Sequence, residues 1–271
     1  MHSILTRKRE AAKDALARTI VEYWDERSAT YSNGVREEFG SFVEDEFRAL
    51  FQEALSSVPV NGASTARVLD LGCGPGFFSS ILSSMGCSVT ALDSSSDMLG
   101  QAMCNVAEHG EPARTRFVLG DVDETGLDGG SFELIVMRNV TWLLKKPLEA
   151  LSEWKRLLVP GGRMLLFDAN WYRYLVDERL NARRLCDQRD ISRLGLDADA
   201  RANDDQEARC EAIALSLPLT YEMRPAWDVQ ALHDLGFSSV RADEGIWRRV
   251  WSEGEKEFYA SSPLFMVEAV K

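Results

Sequence analysis

No stretch of this chain approaches the roughly twenty consecutive apolar residues that a membrane-spanning helix needs, although hydrophobic residues fill 45% of its 271 positions. A membrane is therefore not an expected partner. Cysteine is scarce: Cys73, Cys87, Cys104, Cys186 and Cys210 are five in number, without C-x-x-C spacing, which speaks against a disulfide framework and a cysteine zinc site and leaves reduced thiols. The three histidines, His2, His109 and His233, form no cluster with carboxylates at ligand spacing, so no metal is expected. Positive charge is in deficit. Thirty-one basic against 43 acidic residues give a net charge of −12, and a surface of that sign repels polyphosphate, so nucleic acid is not an expected partner either. Arg7, Lys8 and Arg9 are followed by no apolar run and no small-residue cleavage site; no signal peptide is expected, and a cytoplasmic location is.

What is present begins at Val68. The segment Val68 to Ser80, VLDLGCGPGFFSS, reads as a buried strand (Val68, Leu69, Leu71) breaking into glycines at alternate positions, Gly72, Gly74 and Gly76. Missing Cβ atoms there permit positive φ and close approach of a ligand to the backbone. Phe78, Ile81, Leu82 and Met85 then recur at helical spacing, so the glycine turn opens a helix whose free N–H groups face the ligand. A dinucleotide fingerprint wants glycine at the sixth position of the motif, but here Phe77 stands there. The G-x-G-x-G form preceded by Asp70 resembles motif I of the class I S-adenosylmethionine (SAM) methyltransferases, of the small-molecule type.

About twenty residues beyond the first glycine, Ser88 to Asp93 (SVTALD) is a second apolar strand ending in a carboxylate able to accept both ribose hydroxyls. Asp93 is the expected ribose anchor, with capping of the next helix as its other reading, a task Ser94 can equally perform. Phe117 to Asp121 (FVLGD) is a third strand with an acidic end, and Phe132 to Met137 (FELIVM) a fourth, running into Arg138-Asn139-Val140-Thr141-Trp142. Ligands bind at such carboxyl ends of an open α/β sheet, so these residues, Trp142 included, are expected to border the reacting centre. A helix marked by Leu148, Leu151, Trp154 and Leu158 is expected to stop at Pro160-Gly161-Gly162, a turn before a fifth strand, Arg163 to Phe167.

The resemblance covers about residues 64 to 172 and implies a cofactor, SAM, with S-adenosylhomocysteine as product. Carried onto this chain, it implies contacts from Asp70, Gly72, Cys73, Gly74, Gly76, Asp93, Ser94, Met98, Asp121, Val122, Arg138, Tyr23 and Tyr31. Met98 would cover one adenine face and Asp121 meet the adenine amino group, with Val122 offering its backbone. Asp123 and Glu124 lie so close that sequence does not say which carboxylate points inward. Neither a [DN]-P-P-[YF] tetrapeptide nor a Pro-Cys pair occurs, so the marks of base-methylating relatives are missing and a small-molecule acceptor is expected.

The implied fold is α/β: a Rossmann-like seven-stranded, mostly parallel sheet with an antiparallel last strand, an N-terminal helical cap and a helical insertion after strand 5. Residues 1–60 read as a helical cap or lid and 61–271 as the SAM-binding domain, with 170–225 as a substrate roof. In the cap, Phe39, Phe42, Val43, Phe47, Leu50, Phe51 and Leu55 form an apolar stripe that must dock on the sheet domain. The preceding segment, with Tyr23, Trp24, Arg27 and Tyr31, resembles one that closes over bound SAM; a plain capping helix is the alternative. In the insertion, Arg183, Arg184 and Arg189 either pair an anionic substrate or lie on a solvated helix face, and Asp197 to Arg209 is expected to be mobile. A helix Trp227 to Leu235, a strand near Ser238 to Ala242 and a reversed last strand, Leu264 to Val270, close the sheet, with Trp247 to Pro263 as a long hairpin connection. Asp168, ending the fifth strand, is the best-placed general base for a hydroxyl or thiol acceptor, with Tyr31, Arg138 or Tyr172 orienting it. The other class of function open to the chain is a SAM-binding regulatory or partner protein without turnover.

Overall fold

The computed structural model describes residues 2–59, 65–194 and 203–271, and the side chains of 15–59, 65–186 and 203–271. Seven strands, β1 Arg67–Leu71, β2 Ser88–Asp93, β3 Thr115–Leu119, β4 Phe132–Arg138, β5 Leu158–Asp168, β6 Ser239–Asp243 and β7 Phe265–Val270, form one sheet in the order β3-β2-β1-β4-β5-β7-β6. β1, β2, β3, β4 and β5 pair in parallel, while β7 runs antiparallel to both β5 and β6. The central strands are apolar on both faces because helices cover both. Strand order reverses between β1 and β4, so the crevice above their carboxyl ends is where this topology takes a ligand.

The helices follow local signals. After α1 (His2–Arg36), α2 (Phe42–Leu55) starts at Ser41, whose side chain accepts the Val43 N–H, and buries Val43, Phe47, Leu50 and Phe51. Phe47 meets Phe78 of α3 (Phe77–Ser84) and Phe167 of β5 with ring centroids 4.8 and 5.3 Å apart, which docks the cap on the sheet as its stripe predicts. Phe42 departs from the stripe: it begins the helix and is 50% exposed. α4 (Ser96–His109) is capped by Ser95, which accepts from the Met98 N–H, so neither Asp93 nor Ser94 is the cap. The glycine-rich stop expected before the fifth strand is inside it. Beyond α5 (Pro147–Leu157), β5 runs through Pro160-Gly161-Gly162, and the register against β4 shifts from Phe132↔Leu158 to Leu134↔Arg163, a bulge that absorbs the turn-forming residues.

The insertion forms α6 (Glu178–Leu194) and α7 (Asp204–Leu215). Residues 197–202 of the segment expected to be mobile, and the side chain of Arg189, lie outside the described residues. From Asn203 onward that segment is a helix closed by an Asn203–Gln206 capping box. α7 packs on α1, where Cys210, Ile213 and Ala214 meet Ile20 and Tyr23, and Arg209 pairs with Glu26 at 2.6 Å. Of the insertion's arginines, Arg184 is tied to Glu207 and lies 4.1 Å from the Tyr174 ring, while Arg183 is exposed. After α8 (Ala226–Asp234), the expected hairpin is instead two short helices, α9 (Trp247–Val250) and α10 (Glu253–Phe258). The reason is a second capping box, Ser252 with Glu255. No helix of the described residues is long and apolar enough to cross a membrane.

Candidate functional site

The tip of β1 turns through three glycines in left-handed conformation, Gly72 (φ 60°), Gly74 (φ 51°) and Gly76 (φ 81°), which no β-branched side chain tolerates. Their surroundings separate their tasks. A Cβ on Gly72 would lie 2.6 Å from Val140 Cγ2 and one on Gly76 2.9 Å from Ala102 Cβ, so both allow close packing; a Cβ on Gly74 would meet nothing nearer than Tyr31 Cε1 at 4.0 Å. Gly72 and Gly74 line a cleft of about 790 Å³, its open mouth included. Gly76, Cys73 and Asp70, all expected at the cofactor, are not among its lining residues. Cys73 is buried, and burial pushes its thiol well above the usual range, so it stays protonated.

Asp70 supports the ledge from beneath, accepting from Ser79 Oγ at 2.6 Å. Burial pushes its carboxyl up to about 7 against the pull of Ser79. An unfolded aspartate titrates near 4, so the folded chain keeps a proton the unfolded chain releases, and this group's contribution to stability falls as pH rises from about 4 to about 7. Asp70→Asn removes that contribution. In urea titrations between about pH 5 and about pH 8, the variant's unfolding free energy should decline less with pH than the parent's.

The tip of β2 supplies Asp93, whose Oδ2 accepts the Gly74 N–H at 2.8 Å and whose Oδ1 accepts the Ser95 N–H at 2.9 Å. One carboxylate thus fixes the glycine ledge and the start of α4, and each oxygen keeps lone-pair capacity toward the cleft. Burial pushes this carboxyl up, opposed by the Ser95, Gly74 and Ser94 N–H groups. Ser94 and Met98 line the cleft beside it. The Gly120 N–H donates to the Asp93 carbonyl, which brings the loop after β3 alongside. There Asp121, Val122 and Asp123 all line the cleft. Val122 is fixed by Trp154 Nε1, which donates to its carbonyl at 2.8 Å. Asp121 accepts the Asp123 N–H at 2.9 Å and Lys145 Nζ at 2.6 Å.

At the tip of β4, Asn139 holds φ 61°, a rare value for a residue with a side chain. Its N–H donates to the Phe167 carbonyl and its carbonyl accepts from Trp142 Nε1, while its buried Oδ1 has no hydrogen-bond partner among the described residues. Arg138 lines the cleft and donates to Glu38 at 2.6 Å, tying the segment after α1 to the sheet. α1 lies across the cleft with Ala17, Ile20, Val21, Trp24 and Tyr31 on its wall. It is held by Arg36, which donates to Asn105, and by Asp25, which accepts from Ser95 Oγ.

Four expectations are corrected here. Tyr23 faces α7 instead of the cleft, in one cluster with Cys210 and Ile213, and burial raises its phenol. Tyr172 does likewise, its hydroxyl 3.0 Å from Cys210 Sγ, and Trp142 packs on it with ring centroids 4.7 Å apart. Asp168 is fully buried and enclosed: it accepts from Thr141, from the Trp142 N–H at 3.0 Å and from Arg224 Nη1 at 2.9 Å. Arg224 in turn bonds Asp228. The last side chain of β5 enters a seam between the β4 tip and α8, so Asp168 anchors the fold. Asn139, expected at the reacting centre, lines the cleft, while Lys145, Leu143 and the Ala17, Ile20 and Val21 side of α1 line it without a local pattern that singles them out.

Residues 69–166, from β1 to β5, match the family model of a methyltransferase domain. That span is a methyltransferase domain. It contains the glycine ledge, Asp93, Asp121 and the β4 tip. The chain is 30% identical over 237 residues to an uncharacterised protein of transposon TN4556 from Streptomyces fradiae, covering 81% of this chain and 63% of that one. It is 36% identical over 97 residues to a malonyl-[acyl-carrier protein] O-methyltransferase of Enterobacter lignolyticus, 36% of each chain. The chain thus spans less than two thirds of the length of these curated relatives. Among solved structures, phosphoethanolamine N-methyltransferase 2 of Haemonchus contortus, in complex with S-adenosyl-L-methionine, is similar with a TM-score of 0.54 at 16% identity, covering 82% of this chain and 52% of that one. That is a likeness of fold, and it extends from the methyltransferase domain into the flanking helices.

Proposed function

We propose that this chain catalyses methyl transfer from SAM to a small-molecule acceptor. The observation that carries the reading is Asp93: a carboxylate at the β2 tip, held by Gly74 and Ser95 N–H groups, facing a cleft floored by the glycine ledge. The donor set fits a nucleoside with a short charged tail. Asp93 offers acceptors for two ribose hydroxyls, Met98 and Val122 offer apolar contact for a base, and Gly74 leaves the room that close approach to the backbone needs. When bound, SAM supplies an electrophilic methyl group on its sulfonium.

The residues of the chain then act chiefly by position. Of the acid–base candidates, Asp168 is enclosed in an ion network, the Cys73 thiol stays protonated and the Tyr172 phenol is raised by burial away from the cleft. Holding donor and acceptor in line supplies several kcal/mol of such a barrier without a base. Tyr31 and Asn139 line the cleft where they can orient an acceptor, and α1 excludes water from above. A small acceptor is favoured because α1 lies along one wall of the cleft and α7 packs on α1. The excess of acidic residues speaks against nucleic acid.

Calorimetry of the purified chain with S-adenosylhomocysteine should show binding at one site per chain. Gly74→Val, which puts a branched side chain on the ledge, should weaken it by about tenfold or more, the equivalent of one lost contact near 1.4 kcal/mol. Binding by neither SAM nor its product would overturn the reading. Formation of S-adenosylhomocysteine from SAM with a small-molecule fraction of cell extract separates an enzyme from a SAM-binding protein without turnover.

A further inference from the structure

Away from the acidic loop after β3, two residues of the cleft wall each bury a polar atom that has no hydrogen-bond partner among the described residues: Trp24 Nε1 and Asn139 Oδ1. One is a donor, the other an acceptor. A buried indole N–H usually finds a partner, and Trp142 and Trp154 do so at the Asn139 and Val122 carbonyls. Trp24 does not. The two unpaired groups belong to one part of the fold, because Trp24 packs against the cluster that contains Trp142, and Trp142 is bonded to Asn139 itself. They also stand apart from the base end of the site, since β1 separates the β4 tip from β2 and β3. A desolvated donor and a desolvated acceptor are costly until something binds both.

Resting on the methyl-transfer reading above, we propose that Trp24 and Asn139 form the acceptor subsite and that the methyl group goes to the hydroxyl oxygen of a small alcohol or phenol. The nucleophilic atom is asked to donate to Asn139 Oδ1, to accept from Trp24 Nε1 and to keep a lone pair for the methyl carbon. A hydroxyl, with one proton and two lone pairs, does all three. A neutral amine has a single lone pair, which the attack uses, a thiol is a weak partner in both bonds, and a carboxylate has no proton to give. The oxygen bonds the methyl carbon as the carbon–sulfur bond breaks with its electron pair passing to sulfur, and the hydroxyl proton, held at Asn139 Oδ1 until then, passes to water at the open mouth of the cleft.

The probe is SAM with a trideuterated methyl group, incubated with the chain and the small-molecule fraction of cell extract, the products being read by mass spectrometry. The label should appear in an ether, which survives mild alkali. Label on nitrogen, sulfur or carbon, or in an alkali-labile ester, overturns the assignment while leaving methyl transfer in place. Trp24→Phe keeps a ring without the N–H, and Asn139→Gly removes the amide at a φ that glycine adopts freely. Each should slow ether formation at saturating SAM by about fivefold or more, as one lost hydrogen bond implies, with calorimetric affinity for S-adenosylhomocysteine within about threefold of the parent. Asn139→Asp keeps an acceptor oxygen and should hold the rate within about twofold of the parent. A parent-like rate in Trp24→Phe or Asn139→Gly, an Asn139→Asp as slow as Asn139→Gly, or a loss of S-adenosylhomocysteine affinity that matches the loss of rate overturns the subsite. Binding of S-adenosylhomocysteine by the parent with no labelled product overturns methyl transfer and this inference together.

Discussion

Asp93→Ala should reduce affinity for S-adenosylhomocysteine by about a hundredfold to ten-thousandfold, because two hydrogen bonds to a charged carboxylate, each worth about 1.5–3 kcal/mol, are lost together. The loss has a second source. The Asp93 carboxylate also fixes the Gly74 and Ser95 N–H groups, so its removal loosens the ledge on which the rest of the ligand lies. Asp93→Asn separates the two effects: its amide keeps one acceptor oxygen, and the drop should be smaller. Isothermal calorimetry with all three proteins measures both, and an affinity for Asp93→Ala within about threefold of the parent would rule out Asp93 as ribose anchor.

The largest expected loss of stability is at Arg224. Its side chain is 1% exposed, and those of its partners Asp168 and Asp228 are 0% and 1% exposed. Truncation to alanine leaves two buried carboxylates without their cation, and breaking a buried pair in this way costs about 3–5 kcal/mol. For a chain of this size that corresponds to a fall in melting temperature on the order of 10 °C. Burial already pushes the Asp228 carboxyl up against the pull of Arg224. With the arginine gone that carboxyl rises further, so the variant's deficit should widen as pH rises toward neutrality. Asp168→Asn distinguishes an anchor from a catalytic base. It should lower the melting temperature while leaving affinity for S-adenosylhomocysteine within about threefold, since Asp168 touches Thr141, Trp142 and Arg224 and not the cleft. A normal melting temperature in Asp168→Asn would speak for the base.

The legible parts of the chain were those whose physics is local. A strand running into glycines at alternate positions demands left-handed backbone whatever surrounds it, and Gly72, Gly74 and Gly76 adopt it. β2 begins and ends where its apolar run does, at Ser88 and Asp93. Where two local signals compete, pattern reading fails. Pro160-Gly161-Gly162 is a turn by composition and a bulged strand by pairing with β4, and the aromatic run from Trp247 hides the Ser252–Glu255 cap. Tyr23 and Trp24 are neighbours on α1, yet Trp24 lines the cleft and Tyr23 the α7 contact. That choice depends on the rotation of the helix against two partners, and α7 lies far along the chain.

The sequence by itself determined the ledge and the carboxylate that holds it, because backbone conformation and strand length are set by residues next to one another. Only the tertiary structure decided which acidic groups face the cleft. Asp93, Asp121 and Asp123 line the cleft, the latter two paired with Lys145, whereas Asp168 is taken by an arginine 56 positions away. All four lie at or just beyond strand tips and read alike, and what sets them apart is the burial and the charge partners that distant parts of the chain bring to each.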